Sequence, residues 1–285
     1  MDSTDIQLRI TSHWMRSRST RRSNILKKIF SWFYTAVMFI FLYAPIAVLM
    51  AMAFNESQYN ALPFKFSMRW FEALSKNTKL LDATMNSIYL AAITGVICVV
   101  LATALMLGNR ETSSKIKALV NSTVVLPLTI PWIIMGLSLL LLLRALGLDR
   151  NFVMLLIGHV VISLPYAVLI ISARMQDMDK SIEEASYSLG ANEWTTFYRI
   201  IFPMISPAML AGGFMAFMVS FDNFVLSYFL IPTGTTTLPI EIYSSIKFGF
   251  TPEINAISTI ILVLSLTIIS IIAAIMGSSL KNLIR

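Results

Sequence analysis

Six runs of about 20 apolar residues divide this sequence, and each is long enough to cross the ~30 Å hydrocarbon layer of a membrane as a helix. They lie at roughly 32–54, 84–107, 119–143, 152–173, 205–230 and 256–280. Charged residues form only 13% of the chain, against about 25% in soluble domains. The sequence therefore predicts an all-α integral membrane protein with six transmembrane helices.

The distribution of Lys and Arg among the loops predicts the orientation of these helices. With the N-terminus inside, the inner segments hold about twice as many basic residues as the outer ones. We therefore expect both termini to be cytoplasmic, with a basic, disordered tail at 1–24 and a single six-helix domain at 25–285. The net charge of +7 is explained by this topology signal and by contact with anionic lipid, so it requires no nucleic-acid partner.

Two features interrupt the pattern of six helices. Residues 55–83 mix aromatic and charged side chains, which fits either an amphipathic helix along the outer surface or an ordinary connecting loop. Four prolines also lie inside the apolar runs, and each removes a backbone hydrogen bond and can kink its helix. These prolines are Pro45, Pro127, Pro131 and Pro165.

The polar stretch EEASYSLGANEWTTFYRIIFP, residues 183–203, predicts two short amphipathic helices joined by a tight turn. Asp179 or Ser181 can cap the first helix and Gly190 can end it. Asn192 can cap the second helix, which Pro203 is expected to stop. The two apolar faces are Ile182, Ala185, Ser186 and Leu189, and then Trp194, Phe197, Tyr198 and Ile201.

Exposed apolar ridges of this kind suit a groove on another protein. The alternative is that they pack on the chain's own helices or on lipid headgroups.

The spacing of residues in this stretch resembles the EAA signature of permease subunits of ABC importers. That signature reads Glu-Ala-Ala, three residues, Gly, nine residues, Ile, one residue, Leu-Pro. Here Ser186 replaces the second alanine and Phe202 replaces the leucine. The resemblance implies a type I ABC importer permease fold in which a loop at 174–204 docks into the ATPase subunits. The implied coupling residues are Glu184, Ala185, Ser186, Gly190, Ile200 and Pro203.

The same resemblance implies that this chain is a non-catalytic subunit. ATP and Mg²⁺ would be bound by a partner ATPase dimer, and this chain would carry no catalytic residue, cofactor or metal. Consistent with this, the sequence has no G-x-x-x-x-G-K-[ST] loop, no HExxH and no metal-spaced cluster of Cys and His.

Asp222, in SFDNFVLSYF, is the one carboxylate within the six apolar runs. A charged side chain at membrane depth costs about 2.5–3.5 kcal/mol on insertion scales, so it normally faces a polar cavity or a partner. It could stabilise a cation in transit, helped by the π-faces of neighbouring rings such as Phe221 and Tyr228. Asp222, Phe221 and Tyr228 are thus candidates for a substrate path. The alternative is that Asp222 bonds to another helix or to a second permease and never contacts the cargo.

Most of the chain, and residues 178–264 most strongly, resembles the permeases of spermidine/putrescine importers. The matching stretches include LYAPIAVLMAMAFN, SFDNFVLSYF and TTTLPIEIYSSIKFGFTPEINAISTIILV. Asn223 stands where a second acid is common in that family. The resemblance implies alternating-access import of a polyamine across a bacterial inner membrane. It also implies a second, non-identical permease and an extracytoplasmic polyamine-binding protein as partners, besides the ATPase dimer.

Two other functions stay open at the level of sequence. A secondary transporter would need its own ion or proton site, for which Asp222 and His159 are the available groups. An ABC permease for a different small solute would share the EAA loop but not the cargo.

Overall fold

The computed structural model describes residues 3–283, apart from residues 59, 60, 111 and 250. Side chains are described between residues 27 and 274, with the further exceptions of 180, 272 and 273. This part of the chain is helical, with one isolated β-bridge between Asn55 and Phe66. The helices are α1 (Ser3–Ala53), α2 (Arg69–Lys76), α3 (Thr78–Gly108), α4 (Ser114–Val125), α5 (Trp132–Ala145), α6 (Phe152–Gln176), α7 (Lys180–Ser188), α8 (Glu193–Thr196), α9 (Phe202–Phe221), α10 (Phe224–Leu230), α11 (Leu238–Phe248) and α12 (Glu253–Leu283).

Five helical segments of the described chain are long and apolar enough to cross a membrane, and a bent pair of helices supplies a sixth. They correspond in order to the six apolar runs, so the predicted all-α membrane fold is confirmed. The segments are Lys27–Ala53, Thr78–Gly108, the bent pair Ser114–Thr129 with Trp132–Ala145, Phe152–Gln176, Glu193–Phe221 and Glu253–Ile271.

The third span is not the single helix that we predicted over 119–143. α4 passes into a short 3₁₀ turn, Leu126–Thr129, and the chain then bends by 104° before α5. Pro131 explains the break, because proline has no N–H to donate and disfavours helical backbone at the preceding residue. Ile130 is accordingly extended, with φ −92° and ψ 127°.

The fifth span also differs from the predicted continuous helix over 205–230. It begins earlier, because α8 runs through a π turn at Phe197–Ile201 directly into α9. The prediction that Pro203 ends the second short helix is therefore wrong. Pro203 lies in the first turn of α9, where its missing N–H costs little. α9 then ends at Phe221, and Asn223 caps the separate helix α10.

At the N-terminus, α1 extends from Ser3 without interruption. No glycine or proline precedes Pro45 in this segment, and those are the residues that most strongly break helices. The backbone is thus helical where we expected a disordered tail, and the boundary between 24 and 25 stays a prediction.

The chain divides into two compact units, residues 1–71 with 252–264, and residues 72–251 with 265–285. In the first unit, the segment after α1 folds back on Asn55. The indole N–H of Trp70 donates to the Asn55 carbonyl at 2.7 Å, and the Asn55 side chain accepts from the Lys65 N–H at 3.1 Å. Residues 55–83 thus include the short helix α2, in which Trp70 and Leu74 are buried and Glu72 pairs with Lys76 on the exposed side.

The core of the second unit is built by α3, α6 and α9. Small residues let these helices approach closely, as is common for helices packed in membranes. A Cβ atom at Gly95 of α3 would lie 3.0 Å from the Gly213 carbonyl oxygen of α9, and one at Gly212 would lie 3.3 Å from the Ala167 Cα of α6. α9 is therefore held firmly between α3 and α6.

Candidate functional site

The EAA loop, residues 174–204, contains the first predicted short helix, α7, whereas the second, α8, is the start of the long helical segment Glu193–Phe221. Asp179 caps α7 by accepting a hydrogen bond from the Ser181 N–H at 2.9 Å, and this backbone bond lowers the pKa of the Asp179 carboxyl. Asn192 caps α8 by accepting from the Thr195 N–H at 2.8 Å. Both caps satisfy N–H groups that the first helical turn leaves unpaired.

Gly190 closes α7 in a left-handed conformation, with φ +84°. Its N–H donates to the Tyr187 carbonyl at 2.9 Å, and the N–H of Ala191 donates to the Ser186 carbonyl at 3.1 Å. This pair of bonds is the Schellman motif, which favours glycine at the left-handed position. The predicted turn is confirmed, and it sets the angle between α7 and α8.

A buried hydrogen bond holds the two short helices together. Ser186 Oγ lies 2.9 Å from Thr196 Oγ1, and both side chains are buried. Ser186 is the position where the EAA signature has its second alanine. The serine is therefore more than a small residue substituting for another small residue, because it bonds α7 to α8.

Burial divides the predicted apolar faces of the loop. Ser186 and Ile201 turn inward and are buried, whereas Leu189, Trp194 and Tyr198 are exposed to 89%, 70% and 60%. We call these three residues the exposed face of the EAA loop. Of the other predicted coupling residues, Ile200 is half-buried and the rest are exposed: Glu184, Ala185, Gly190 and Pro203.

An ion pair that sequence reasoning missed ties this loop to the end of α3. Arg110 Nη1 lies 2.8 Å from Glu183 Oε2, and both side chains are mostly shielded from solvent. A second bond, from Arg174 Nε to the Met204 carbonyl at 3.1 Å, joins the two ends of the loop. The EAA loop is thus fixed to the body of the second unit, while its exposed face is left uncovered by the part of the chain that the structure describes.

Replacing Ser186 with alanine restores the signature but is expected to destabilise the loop, because Thr196 Oγ1 then loses its partner. A buried hydroxyl without a hydrogen bond costs about 1–3 kcal/mol. The double variant S186A/T196V removes both polar groups and is expected to recover most of that loss. Thermal unfolding of the purified protein, followed by protease sensitivity within 174–204, measures the difference. Equal stability of S186A and the wild type would contradict a structural role for this bond.

The candidate substrate-path residues lie around the break between α9 and α10. Asp222 directly follows α9 as its C-terminal cap residue, and its side chain is exposed. The Phe221 ring stacks on Phe217, with centroids 5.7 Å apart. Tyr228, which is 54% exposed, lies 5.4 Å from Phe224. The three candidates thus lie on either side of a helix break. We had expected a continuous helix at this point, and the break leaves Asp222 exposed.

Tyr243 of α11 joins this region, because its ring centroid lies 4.7 Å from that of Phe224. Glu241, on the same helix, forms an ion pair with Lys79 at the start of α3, at 3.0 Å. Sequence patterns gave no sign of this pair, because the two residues lie 162 positions apart and are brought together only by the fold. The ion pair fixes α11 against α3 beside the aromatic rings.

Together, the fold and the EAA loop are those of a multi-span membrane protein whose loop at 174–204 exposes large apolar side chains. Residues 100–282 match the family described as the binding-protein-dependent transport system inner membrane component. The chain belongs to this family and is a permease subunit of an ABC importer.

Two relatives are similar over most of their length. The chain is 33% identical over 237 residues to the spermidine/putrescine transport system permease protein PotC of Escherichia coli K12, covering 83% of this chain and 89% of that protein. It is 36% identical over 235 residues to the putrescine transport system permease protein PotI of the same organism, covering 79% and 82%.

Solved structures share the fold at low sequence identity. A bacterial ABC transporter that imports the acidic polysaccharide alginate contains a chain with TM-score 0.67 and 14% identity, covering 89% of this chain and 97% of that one. The inward-facing methionine transporter MetNI contains another, with TM-score 0.59 and 14% identity, covering 72% and 97%.

Proposed function

We propose that this permease carries a polyamine, putrescine or spermidine, into the cytoplasm. The observation that carries the proposal is the similarity to PotC and PotI, two permeases named for these cargoes, at 33% and 36% identity over about four fifths of the chain. The exposed carboxylate of Asp222, at the break between α9 and α10, supports a cationic cargo.

The EAA loop is the proposed docking element for an ATPase dimer. Leu189, Trp194 and Tyr198 are large side chains left exposed on this pair of hydrogen-bonded helices, and the rings of Trp194 and Tyr198 stack on each other. Burial of such side chains in a groove of a partner is strongly favourable. In the proposed orientation, both termini and this loop face the cytoplasm, where ATP is available. A second, non-identical permease and an extracytoplasmic polyamine-binding protein complete the proposed importer.

Transport in this scheme is alternating access driven by the partner. Closure of the ATPase dimer would move the EAA loops of two permeases together and open the path toward the binding protein. ATP and cargo shift this equilibrium only to the extent that each binds the two states unequally. This chain's own part is mechanical and electrostatic, and no covalent step is assigned to it.

The runner-up is an ABC permease for another small solute. The alginate and methionine transporters share this fold at 14% identity, so the fold alone does not select the cargo.

The test is to purify the tagged chain from its own membranes, identify the copurified proteins by mass spectrometry, and reconstitute the complex in liposomes. We expect an ATPase and a second permease to copurify, and labelled putrescine or spermidine to enter only with ATP inside and binding protein outside. If the complex hydrolyses ATP but takes up no labelled polyamine, the proposed cargo is wrong and the proposed coupling to an ATPase still stands. Uptake by the isolated chain without ATP would overturn the coupling role and favour a secondary transporter.

A further inference from the structure

His159, a buried histidine on α6, bridges the break in the fifth span. Its Nδ1 lies 2.8 Å from Ser220 Oγ, near the end of α9. Its Nε2 lies 3.2 Å from Ser227 Oγ, in the middle of α10. One imidazole ring therefore contacts both halves of the span, two residues before Asp222 and five residues after it.

The hydrogen bonds form a consistent chain. Ser220 Oγ, which lies 2.8 Å from Nδ1, also lies 3.4 Å from Thr94 Oγ1 of α3. On the other side of the ring, Nε2 pairs with the Ser227 hydroxyl. Both ring nitrogens are satisfied, and α3, α6, α9 and α10 are connected through one buried polar network.

Backbone bonding alone does not hold α10 in line with α9. α9 ends at Phe221, and Asn223 is extended, with ψ 94°. The Asn223 side chain turns back to cap α10 by accepting from the Leu226 N–H at 2.8 Å. Since a helix transmits orientation through its continuous ladder of hydrogen bonds, an interrupted helix needs side-chain contacts to keep its two halves in register.

Packing brings α10 within reach of the histidine. Gly158 precedes His159, and a Cβ atom there would lie 2.5 Å from Leu230 Cδ1 and 3.2 Å from Leu226 Cδ2. The missing side chain at Gly158 lets α10 lie directly against α6, where Ser227 meets the ring.

We propose that His159 is a positioning residue, which clamps α9 and α10 in one arrangement and thereby fixes the Asp222 carboxylate in the substrate path. The inference rests on the proposed function, in which Asp222 faces the cargo. The clamp itself makes no contact with cargo and acts through the geometry of the break.

Two variants remove the same contact from opposite ends. Ser227→Ala deletes the hydroxyl that bonds to Nε2. His159→Asn keeps an amide that can replace Nδ1 toward Ser220 but has no group to replace Nε2. The double variant H159N/S227A is expected to be no more affected than the single ones, because residues that share one interaction are not additive.

Ser163→Ala is the matched control. Ser163 lies one turn after His159 on α6 and is fully buried, and its Oγ has no hydrogen-bond partner among the described residues. The S163A variant loses a buried hydroxyl without losing a hydrogen bond. Any effect that comes only from deleting a buried polar atom would therefore appear in this variant as well.

The first readout is hydrogen–deuterium exchange of the purified importer complex in lipid nanodiscs, at the peptides covering residues 219–230. We expect exchange to be faster by roughly three- to twentyfold in S227A and H159N and unchanged in S163A. This range is the measured strength of single interhelical hydrogen bonds in membranes, converted to a ratio of rates. The second readout is ATP-driven uptake of labelled putrescine or spermidine at equal amounts of assembled complex, which we expect to fall in the same two variants.

Unchanged exchange in S227A and H159N would overturn the clamp. Faster exchange with undiminished uptake would overturn its role in positioning Asp222. If the wild-type complex takes up no polyamine, the proposed cargo is wrong, while the exchange rates still decide whether His159 holds the break.

Discussion

Replacing Gly190 with proline is expected to abolish ATP-driven uptake while the chain still inserts in the membrane. Gly190 has φ +84°, whereas the proline ring fixes φ near −65°. Proline also removes the N–H that donates to the Tyr187 carbonyl. The turn between α7 and α8 cannot then close, and the exposed face loses the rigid shape that would fit a partner. Uptake by reconstituted complex and copurification of the ATPase measure the effect.

Two control variants isolate the cause. Gly190→Asn keeps the N–H, and asparagine tolerates the left-handed region, while the space around Gly190 is open. It should retain most of the uptake. Gly147→Pro breaks the same motif at the end of α5, where Gly147 has φ +67° and its N–H donates to the Arg144 carbonyl.

G147P is therefore expected to reduce stability but to keep the ATPase bound. Normal uptake by G190P would show that the EAA loop does not couple the permease to its partner.

The EAA loop was predictable because its signals are local. Asp179, Gly190 and Asn192 each act within three residues of their own position, through caps and a left-handed turn. The resemblance to the EAA signature added an expected function for the loop but not its internal bonding. The pairing of Ser186 with Thr196 depends on how α7 folds against α8, and a comparison of single positions treats serine and alanine as equivalent.

The break after Asp222 could not be predicted from hydropathy. The residues on both sides are apolar and no glycine or proline lies between 214 and 230, so the pattern reads through the break as one span. What ends α9 is the capping of α10 by Asn223, together with the contacts that hold α10 against α6. Tertiary packing thus decides where this helix stops.

The bend in the third span is a different case, since Pro127 and Pro131 are visible in the sequence. Prolines inside membrane helices are tolerated often enough that they do not predict a break by themselves. Beyond the bend of 104°, α5 packs against α10, and a contact between segments so far apart in sequence has no local signature.

The two candidate regions lie at opposite ends of one helical segment. Glu193–Phe221 spans 29 residues, or roughly 43 Å at 1.5 Å per residue. The exposed face of the EAA loop includes the first turns of this segment, and Asp222 follows its last residue. If the ATPase displaces the loop, we expect the whole helical segment to move as one rigid element, so that Asp222 moves with it.

Replacing Asp222 with asparagine tests whether the end of this helical segment contacts the cargo. The Asp222 carboxylate has no ion pair or hydrogen bond to the described residues, and a charge at membrane depth is stable only beside water, a cation or a partner. Asparagine has nearly the same size but no charge. Since charged hydrogen bonds contribute about 1.5–3 kcal/mol, uptake at low polyamine concentration should fall by roughly ten- to a hundredfold.

Three comparisons make the result specific. Asp222→Glu keeps the charge and should retain part of the uptake. Asp149→Asn removes an exposed carboxylate from the loop between α5 and α6 and should change nothing. The amount of ATPase and second permease that copurifies with D222N should match the wild type. Loss of assembly in D222N would mean that Asp222 bonds to the second permease, and undiminished uptake would remove it from the substrate path.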